Sequence, residues 1–449
     1  MPLRSFHPVI QEWFSNMLGE PTDVQRASWP AIQSGKHALI SAPTGSGKTL
    51  AAFLTCIDQL LHQAIHGELV EGIQVVYVSP LRALSHDIHK NLQQPLDEIS
   101  QLALSAGLLS PNIRVEVRTG DTPPAQRQRM LKHPPHILVT TPETLFLMVT
   151  AKRSRELLMG VHTVIIDEIH ALAPNKRGSH LALSLERMDA VTTRQLVRIG
   201  LSATQRPLEQ VARFLVGESA NRKKAQQGSL FESSDCHIVD VGHRRALDLQ
   251  VEVPGDELGA IATNAIWSEI YDRIAAIGEQ HRSTLVFVNT RRLAERIAHH
   301  LSERLGEDQV ASHHGSLSRK LRLTAEERLK AGKIKVMVAT ASLELGIDIG
   351  FIDVVCQIGS PRAIATCLQR VGRAGHWVGA VPKGRLFCTT RDELMECAAV
   401  VRAIRQGQLE TIEIPTAPLD ILIQHLIAEV SAQEWSITEL FDLCRSAYP

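Results

Sequence analysis

At 449 residues the chain has room for about two to three domains, each able to bury its own core, which excludes a small disulfide scaffold. Hydrophobic residues make up 44% and charged residues 21%, ordinary for a globular protein, and no apolar run approaches the roughly 18 residues of a membrane-spanning helix. Lys plus Arg equals Asp plus Glu at 48 each, so no global positive field announces a polyanionic partner, and a nucleic-acid reading has to rest on local features. The segment Met1 to His7 leads into no signal-like apolar region, so a cytoplasmic protein with no membrane partner is expected. Cys56, Cys236, Cys356, Cys367, Cys388, Cys397 and Cys444 are scattered and never in C-x-x-C spacing; they read as reduced thiols.

Two stretches alternate short β-rich runs with amphipathic helical patterns, the signature of parallel α/β domains. The first has expected strands at residues 38–41, 75–79, 114–118, 137–140, 163–167 and 196–201. Just ahead of them, Pro21-Thr22-x-x-Gln25 carries an amide able to donate and accept together, suited to the adenine edge of ATP. Ala42-Pro43-Thr44-Gly45-Ser46-Gly47-Lys48-Thr49 then joins a strand to a helical run. In that setting the glycines let backbone N–H groups close on phosphates, Lys48 pairs the β and γ phosphates, and Thr49 offers a hydroxyl to Mg²⁺. Ala42 replaces the usual first glycine with another small residue.

Further along, Thr163-Val164-Ile165-Ile166-Asp167-Glu168-Ile169-His170 is an apolar strand ending in two adjacent carboxylates. A buried strand rarely tolerates such a pair without use. Asp167 is expected to hold Mg²⁺ through water, and Glu168 to orient and deprotonate the attacking water. Ser202-Ala203-Thr204 follows the next strand, with hydroxyls able to relay the state of the γ-phosphate.

Residues 218–235 are polar and lack apolar periodicity, as in a surface insertion, with Arg222, Lys223 and Lys224 as either a solvated loop or a nucleic-acid contact. The second α/β stretch has expected strands at 284–288, 310–313, 336–339, 354–358 and 384–388. Gln369-Arg370-Val371-Gly372-Arg373-Ala374-Gly375-His376 within it places two arginines one helical turn apart, as a pair of guanidinium groups for γ-phosphate charge supplied in cis. Trp377 is either a base-stacking or a buried aromatic. Helical patterns at 418–430 and 436–444 close the sequence, their apolar face scarcely covered.

Taken together, these strings resemble the ordered motifs of superfamily 2 DEAD/DEAH-box helicases. Besides those above, the series includes Ser79 to Leu84, Thr119-Gly120-Asp121, Thr140-Thr141-Pro142-Glu143, Val286 to Arg291, His313-His314-Gly315-Ser316 and Ala339 to Asp348. Residues 167–170, 176–187, 342–348 and 373–376 are worded most like the Lhr (large helicase-related) group.

The resemblance implies an α/β fold of two tandem RecA-like parallel-sheet lobes followed by the start of a winged-helix domain, cut short relative to Lhr cores. The expected division is lobe 1 at 1–216, a linker with the insertion at 217–245, lobe 2 at 246–412 and a partial winged helix at 413–449. It implies an ATP-dependent helicase using Mg²⁺, moving 3′ to 5′ on single-stranded DNA, unwinding DNA or RNA–DNA duplexes, linked to DNA repair, and monomeric. Gln369, Gly346 and Asp348 join the ATP site, and His170, Ser202 and Thr204 couple it to motion. Arg82, Gly120, Thr141, Pro142, Asn289, Arg291, His314 and Thr340 are the implied nucleic-acid contacts, with His314 equally readable as a loop histidine. The alternatives are a helicase-like clamp that binds without unwinding, and an RNA-specific helicase.

Overall fold

Val- and Ile-rich runs become strands because β-branched side chains pack well on a pleated, buried surface. In the computed structural model, which describes residues 2–43, 45–80, 89–108, 112–203, 205–218, 236–242, 246–344, 350–375 and 381–448, they assemble into two sheets. The first contains β1 (His37–Ser41), β2 (Val75–Val78), β3 (Val115–Arg118), β4 (Ile137–Thr140), β5 (Thr163–Ile166), β6 (Val197–Ser202) and β7 (Cys236–Asp240). Their order is β3-β4-β2-β5-β6-β1-β7, with every pairing parallel. The second contains β8 (Asp248–Glu252), β9 (Thr284–Phe287), β10 (Val310–His313), β11 (Val336–Ala339), β12 (Val354–Ile358) and β13 (Lys383–Phe387), in the order β10-β11-β9-β12-β13-β8, again all parallel.

Interior strands β2, β4, β5, β9, β11 and β12 are buried at every residue, as sheets covered by helices on both faces require. Two strands depart from expectation. β7 lies within the stretch expected as a linker, yet pairs with β1 from His37↔Cys236 to Ser41↔Asp240; β8 closes the far edge of the second sheet against β13. Both are edge strands with mixed polar sequence, so the ladder to a distant partner, rather than a local apolar run, makes them strands.

One compact unit holds Met1–Ala42, Ser46–Gly242 and Thr411–Pro449; the other holds Pro43–Gly45 and His243–Glu410. The C-terminal segment, expected as a domain following both lobes, therefore belongs with the first sheet. Its helices Leu419–Ala432 and Ile437–Cys444 pack on the helix Lys176–Val191, and the former also on Pro142–Thr150. Arg187 and Glu429 form an ion pair buried in that seam. Arg187 also donates to His425 Nδ1 (3.3 Å) and, through Nη2, to Thr150 Oγ1 (2.9 Å), and Trp435 Nε1 donates to Glu429 Oε2 (3.0 Å). Leu419, Ile423, Ile427 and Val430 on the same helix are exposed.

Among the described residues no helix is long and apolar enough to cross a membrane. Of the expected site residues, Thr44, Arg82, Thr204, Gly346 and Asp348 lie outside the described residues, as do Arg222, Lys223, Lys224, His376 and Trp377.

Candidate nucleotide-hydrolysis site

The strand order sets β6 between β1 and β5, so the residues that follow these three strands emerge side by side at one sheet edge. After β1, Ala42, Pro43 and residues 45–47 lead into the helix Lys48–Ile65. Gly45 (φ 75°) and Gly47 (φ 87°) occupy the left-handed region that disfavours a Cβ, and at Gly47 a Cβ would also stand 2.8 Å from Gln25 Nε2. The loop backbone thus opens onto the positive end of an 18-residue helix, with Lys48 buried in its first turn and Thr49 next to it. Gln25 has a structural task here as well. Its Oε1 accepts the Thr22 N–H (2.9 Å), while Thr22 Oγ1 donates to the Ser46 carbonyl (2.9 Å), so this capping box braces the phosphate loop.

β5 delivers Asp167 and Glu168 to the same edge. The Asp167 N–H donates to the Val78 carbonyl (2.8 Å), its Oδ1 accepts the Glu168 N–H (2.9 Å), and the Tyr77 hydroxyl on β2 donates to its Oδ2. Tyr77 also packs on Phe53 of the phosphate-loop helix, with ring centroids 4.7 Å apart. Glu168 is a non-glycine residue at φ 48°, a conformation that costs about 1–2 kcal/mol and is kept where surroundings impose it. His170 Nε2 stands 3.4 Å from Glu168 Oε2, and His170 Nδ1 accepts the Ala203 N–H (2.9 Å). With Nδ1 accepting, the proton of a neutral ring is assigned to Nε2, toward Glu168. Burial holds the imidazole below its ordinary pKa despite the neighbouring carboxylate. A continuous chain of contacts therefore runs from Glu168 through His170 to Ala203, where Ser202 Oγ donates to the Ala203 carbonyl (2.6 Å).

Burial first, then the adjacent Glu168 charge, push the Asp167 carboxyl up to about 7, against the opposite pull of Lys48 and the Tyr77 hydroxyl. A buried Asp167 carboxyl whose ionisation is disfavoured, beside the second buried carboxylate of Glu168, suits a divalent cation, and with the Thr49 hydroxyl the donors are all oxygen, so the residues fit nucleotide-bound Mg²⁺.

In the second unit, Arg370 lies in the helix Ile364–Val371 and Arg373 just beyond it, both buried. Arg370 Nε donates to Glu344 Oε1 (2.7 Å), and its Nη1 donates to Gln357 Oε1 (2.5 Å) and Asn289 Oδ1 (3.3 Å). Its guanidinium lies 5.2 Å from the Phe287 ring centroid. Arg373 Nη2 donates to the Glu344 carbonyl (2.7 Å). Glu344 thus orients both arginines. Gln369 sits in the same helix.

The expected nucleic-acid contacts divide by how they are already engaged. Thr141 is buried as the N-cap of Pro142–Thr150, with Pro142 at its first position, and the Gly120 carbonyl accepts from Arg127. Asn289 spends its amide inside the second unit, Oδ1 on Arg370 and Nδ2 on the Ser360 carbonyl (2.9 Å). His314 is buried, its Nε2 on Glu295 and its Nδ1 accepting the Ser316 N–H (3.3 Å), as a loop histidine would be. Arg291 is exposed and donates to Ser316 Oγ (2.8 Å); the Thr340 N–H donates to the His313 carbonyl (3.3 Å). Tyr77, Arg177, Glu344 and Gln357 were not among the expected site residues. A lone hydroxyl in the apolar run Val75-Val76-Tyr77-Val78 was a usable signal for the first.

Three families match along the chain: DEAD/DEAH box helicase at residues 22–212, helicase conserved C-terminal domain at 267–378, and the winged helix domain of large helicase-related protein at 402–449. A curated Lhr helicase/probable uracil glycosylase of Mycolicibacterium smegmatis is 42% identical over all of this chain and 31% of its own length. The ATP-dependent helicase Lhr-Core of Methanothermobacter thermautotrophicus is 43% identical over 98% of this chain and 50% of its own. The chain spans about half the length or less of these relatives. The structure of Mycobacterium smegmatis helicase Lhr bound to ssDNA and AMP-PNP superposes with a TM-score of 0.88 at 44% identity, covering 99% of this chain and 56% of that one. With helicase and Lhr winged-helix matches in that order on two parallel-sheet lobes, the protein belongs to the DEAD/DEAH box helicases, in the large helicase-related group.

Proposed function

We propose that this chain hydrolyses ATP to move 3′ to 5′ on single-stranded DNA and to unwind DNA or RNA–DNA duplexes, in the service of DNA repair. The observation that carries the reading is the contact chain from Glu168 through His170 to Ala203 beside the phosphate loop. It gives the hydrolysis site a built-in connection to a second loop, which a simple nucleotide store does not need. That the Mycobacterium smegmatis relative was solved with single-stranded DNA and AMP-PNP supports the choice of ligands.

In this mechanism Lys48 and the loop amides hold the β and γ phosphates, and Gln25 selects adenine from its braced position. Thr49 and, through water, Asp167 would hold Mg²⁺, which would supply positive charge to the phosphate oxygens. Glu168 accepts a proton from the attacking water as the γ-phosphoryl group leaves ADP. Arg370 and Arg373, with Gln369, stabilise the charge on the transferred group. Gly346 and Asp348 contact the nucleotide, while Ser202, Thr204 and His170 report its state. The strand is held by Arg82, Gly120, Thr141, Pro142, Arg291 and Thr340, with Asn289 and His314 acting through the side chains they brace. The protein works as a monomer.

The test is ATP turnover with and without single-stranded DNA, alongside unwinding of 3′-tailed and 5′-tailed duplexes. Stimulation by DNA and unwinding of the 3′-tailed substrate are expected. Glu168→Gln should bind ATP normally and lose DNA-stimulated turnover by about 10³-fold or more. Binding without stimulated turnover in the wild-type chain would instead favour a clamp, and stimulation only by RNA an RNA-specific enzyme.

A further inference from the structure

One short covalent path joins the hydrolysis residues to the expected nucleic-acid face of the first unit. Glu168 immediately precedes the four-residue helix Ile169–Leu172, and Asn175 caps the helix Lys176–Val191 that follows. Asn175 ties the two together, its Nδ2 donating to the Ala171 carbonyl (2.7 Å) and its Oδ1 accepting the Arg177 N–H (2.9 Å). At Gly178 the helices touch so closely that a Cβ would collide with the Leu172 carbonyl and stand 3.0 Å from Ala173 Cα. Both obstacles are backbone and cannot rotate aside, so a displacement of residues 169–173 is passed on to residues 176–178.

Arg177 carries that position outward. Its Nε donates to Glu143 Oε1 (2.7 Å), 34 residues away in sequence, and its Nη2 to the Pro80 carbonyl (2.9 Å), 97 residues away. Glu143 follows Thr141 and Pro142 in the first turn of their helix, and Pro80 precedes the segment that contains Arg82. One guanidinium thus holds together two of the segments expected to grip the strand. Burial alone would raise the Glu143 carboxyl, and the Arg177 hydrogen bond helps to reverse this and hold it below the usual carboxylate range. The pair is otherwise a poor stabiliser of the fold: the two side chains are 46% and 50% exposed, and exposed ion pairs contribute little.

We infer that Arg177 is a positioning residue that couples a strand held at the Pro80 and Glu143 segments to the placement of Glu168 for hydrolysis. The inference rests on the proposed function and goes beyond it by naming the route of stimulation.

The experiment uses the whole chain and a short oligodeoxythymidine as the stimulating strand. Arg177→Met should leave DNA-free ATP turnover and the KM for ATP within about twofold of wild type, leave the melting temperature unchanged, and lower DNA-stimulated kcat about tenfold or more. Glu143→Gln should give a smaller loss of the same kind, and the double variant should be no worse than Arg177→Met alone, since both remove one linkage. Unchanged stimulation in Arg177→Met, an equal fall of basal and stimulated turnover, or strictly additive losses in the double variant each overturn the inference while leaving the proposed function standing. A wild-type chain that DNA does not stimulate overturns both.

Discussion

At the scale of single residues, His425 is the clearest titratable group in the C-terminal seam. Burial, followed by the proximity of His180 and Arg187, pushes its imidazole down to about 3, and its Nδ1 accepts from Arg187, so the folded ring is neutral. An unfolded histidine takes up a proton near pH 6.5. Between those values the unfolded chain binds the extra proton, so the stabilisation is complete above about pH 6.5 and is lost as pH falls through that window. From pH 7 to 5 this one group should remove about 2 kcal/mol, at about 1.4 kcal/mol per pH unit below 6.5. His162, His136 and His180 are also held below their ordinary value, chiefly by burial, and add to the same trend. Denaturant titrations at pH 7 and pH 5 check it: the stability difference should shrink in His425→Gln, and a difference that the substitution leaves untouched would show that the ring is protonated while folded.

At the scale of elements, the helix Leu419–Ala432 is attached by charge as much as by packing. The Arg187 and Glu429 side chains are only 2% and 5% exposed. Ions so buried gain from each other only while both are present, because either alone keeps its full desolvation cost. Glu429→Ala should therefore destabilise the chain by about 3–5 kcal/mol in denaturant unfolding, whereas Arg187→Met with Glu429→Leu should recover most of that loss. A double variant as unstable as the single one would mean that the seam depends on the ion pair itself rather than on not leaving a charge stranded. The short helix after Glu168 obeys a different rule. Four residues cannot sustain a helix by themselves, and it persists because Gly178 admits the next helix against its carbonyl end.

For the molecule as a whole, neutrality bears on how a strand is held. With 48 basic and 48 acidic residues there is no broad positive field, and the expected contact set contains only two permanent cations, Arg82 and Arg291. Contacts through backbone amides and hydroxyls position phosphates without releasing further counterions. The affinity for single-stranded DNA should accordingly fall only gently with salt, with a log–log slope of roughly −1.4 from two cations at about 0.7 each. A slope several times steeper in a fluorescence-anisotropy salt series would reveal a basic surface outside the proposed contacts.

Local chemistry was enough to identify the interior strands and the glycine turn that leads into the helix Lys48–Ile65. A strand buried on both faces must be apolar throughout, and a loop closing on phosphate must place glycines at the positive-φ positions, so residues 163–166 and 45–47 state their structure in a few letters. The carboxylates at 167 and 168 and the arginines at 370 and 373 were legible for a related reason, being charges in segments otherwise fit for burial. Edge strands β7 and β8 were not, because only pairing with β1 and β13 distinguishes them from loops. Nor were the engagements of Tyr77 with Asp167, of Arg177 with Pro80, or of Arg187 with Glu429, whose partners lie 90, 97 and 242 residues away. A short-range pattern is enforced by the backbone of the same few residues and can be read there. A bond between distant segments exists only after the chain has folded, so tertiary structure alone decided which side chains brace the site and where the C-terminal helices settle.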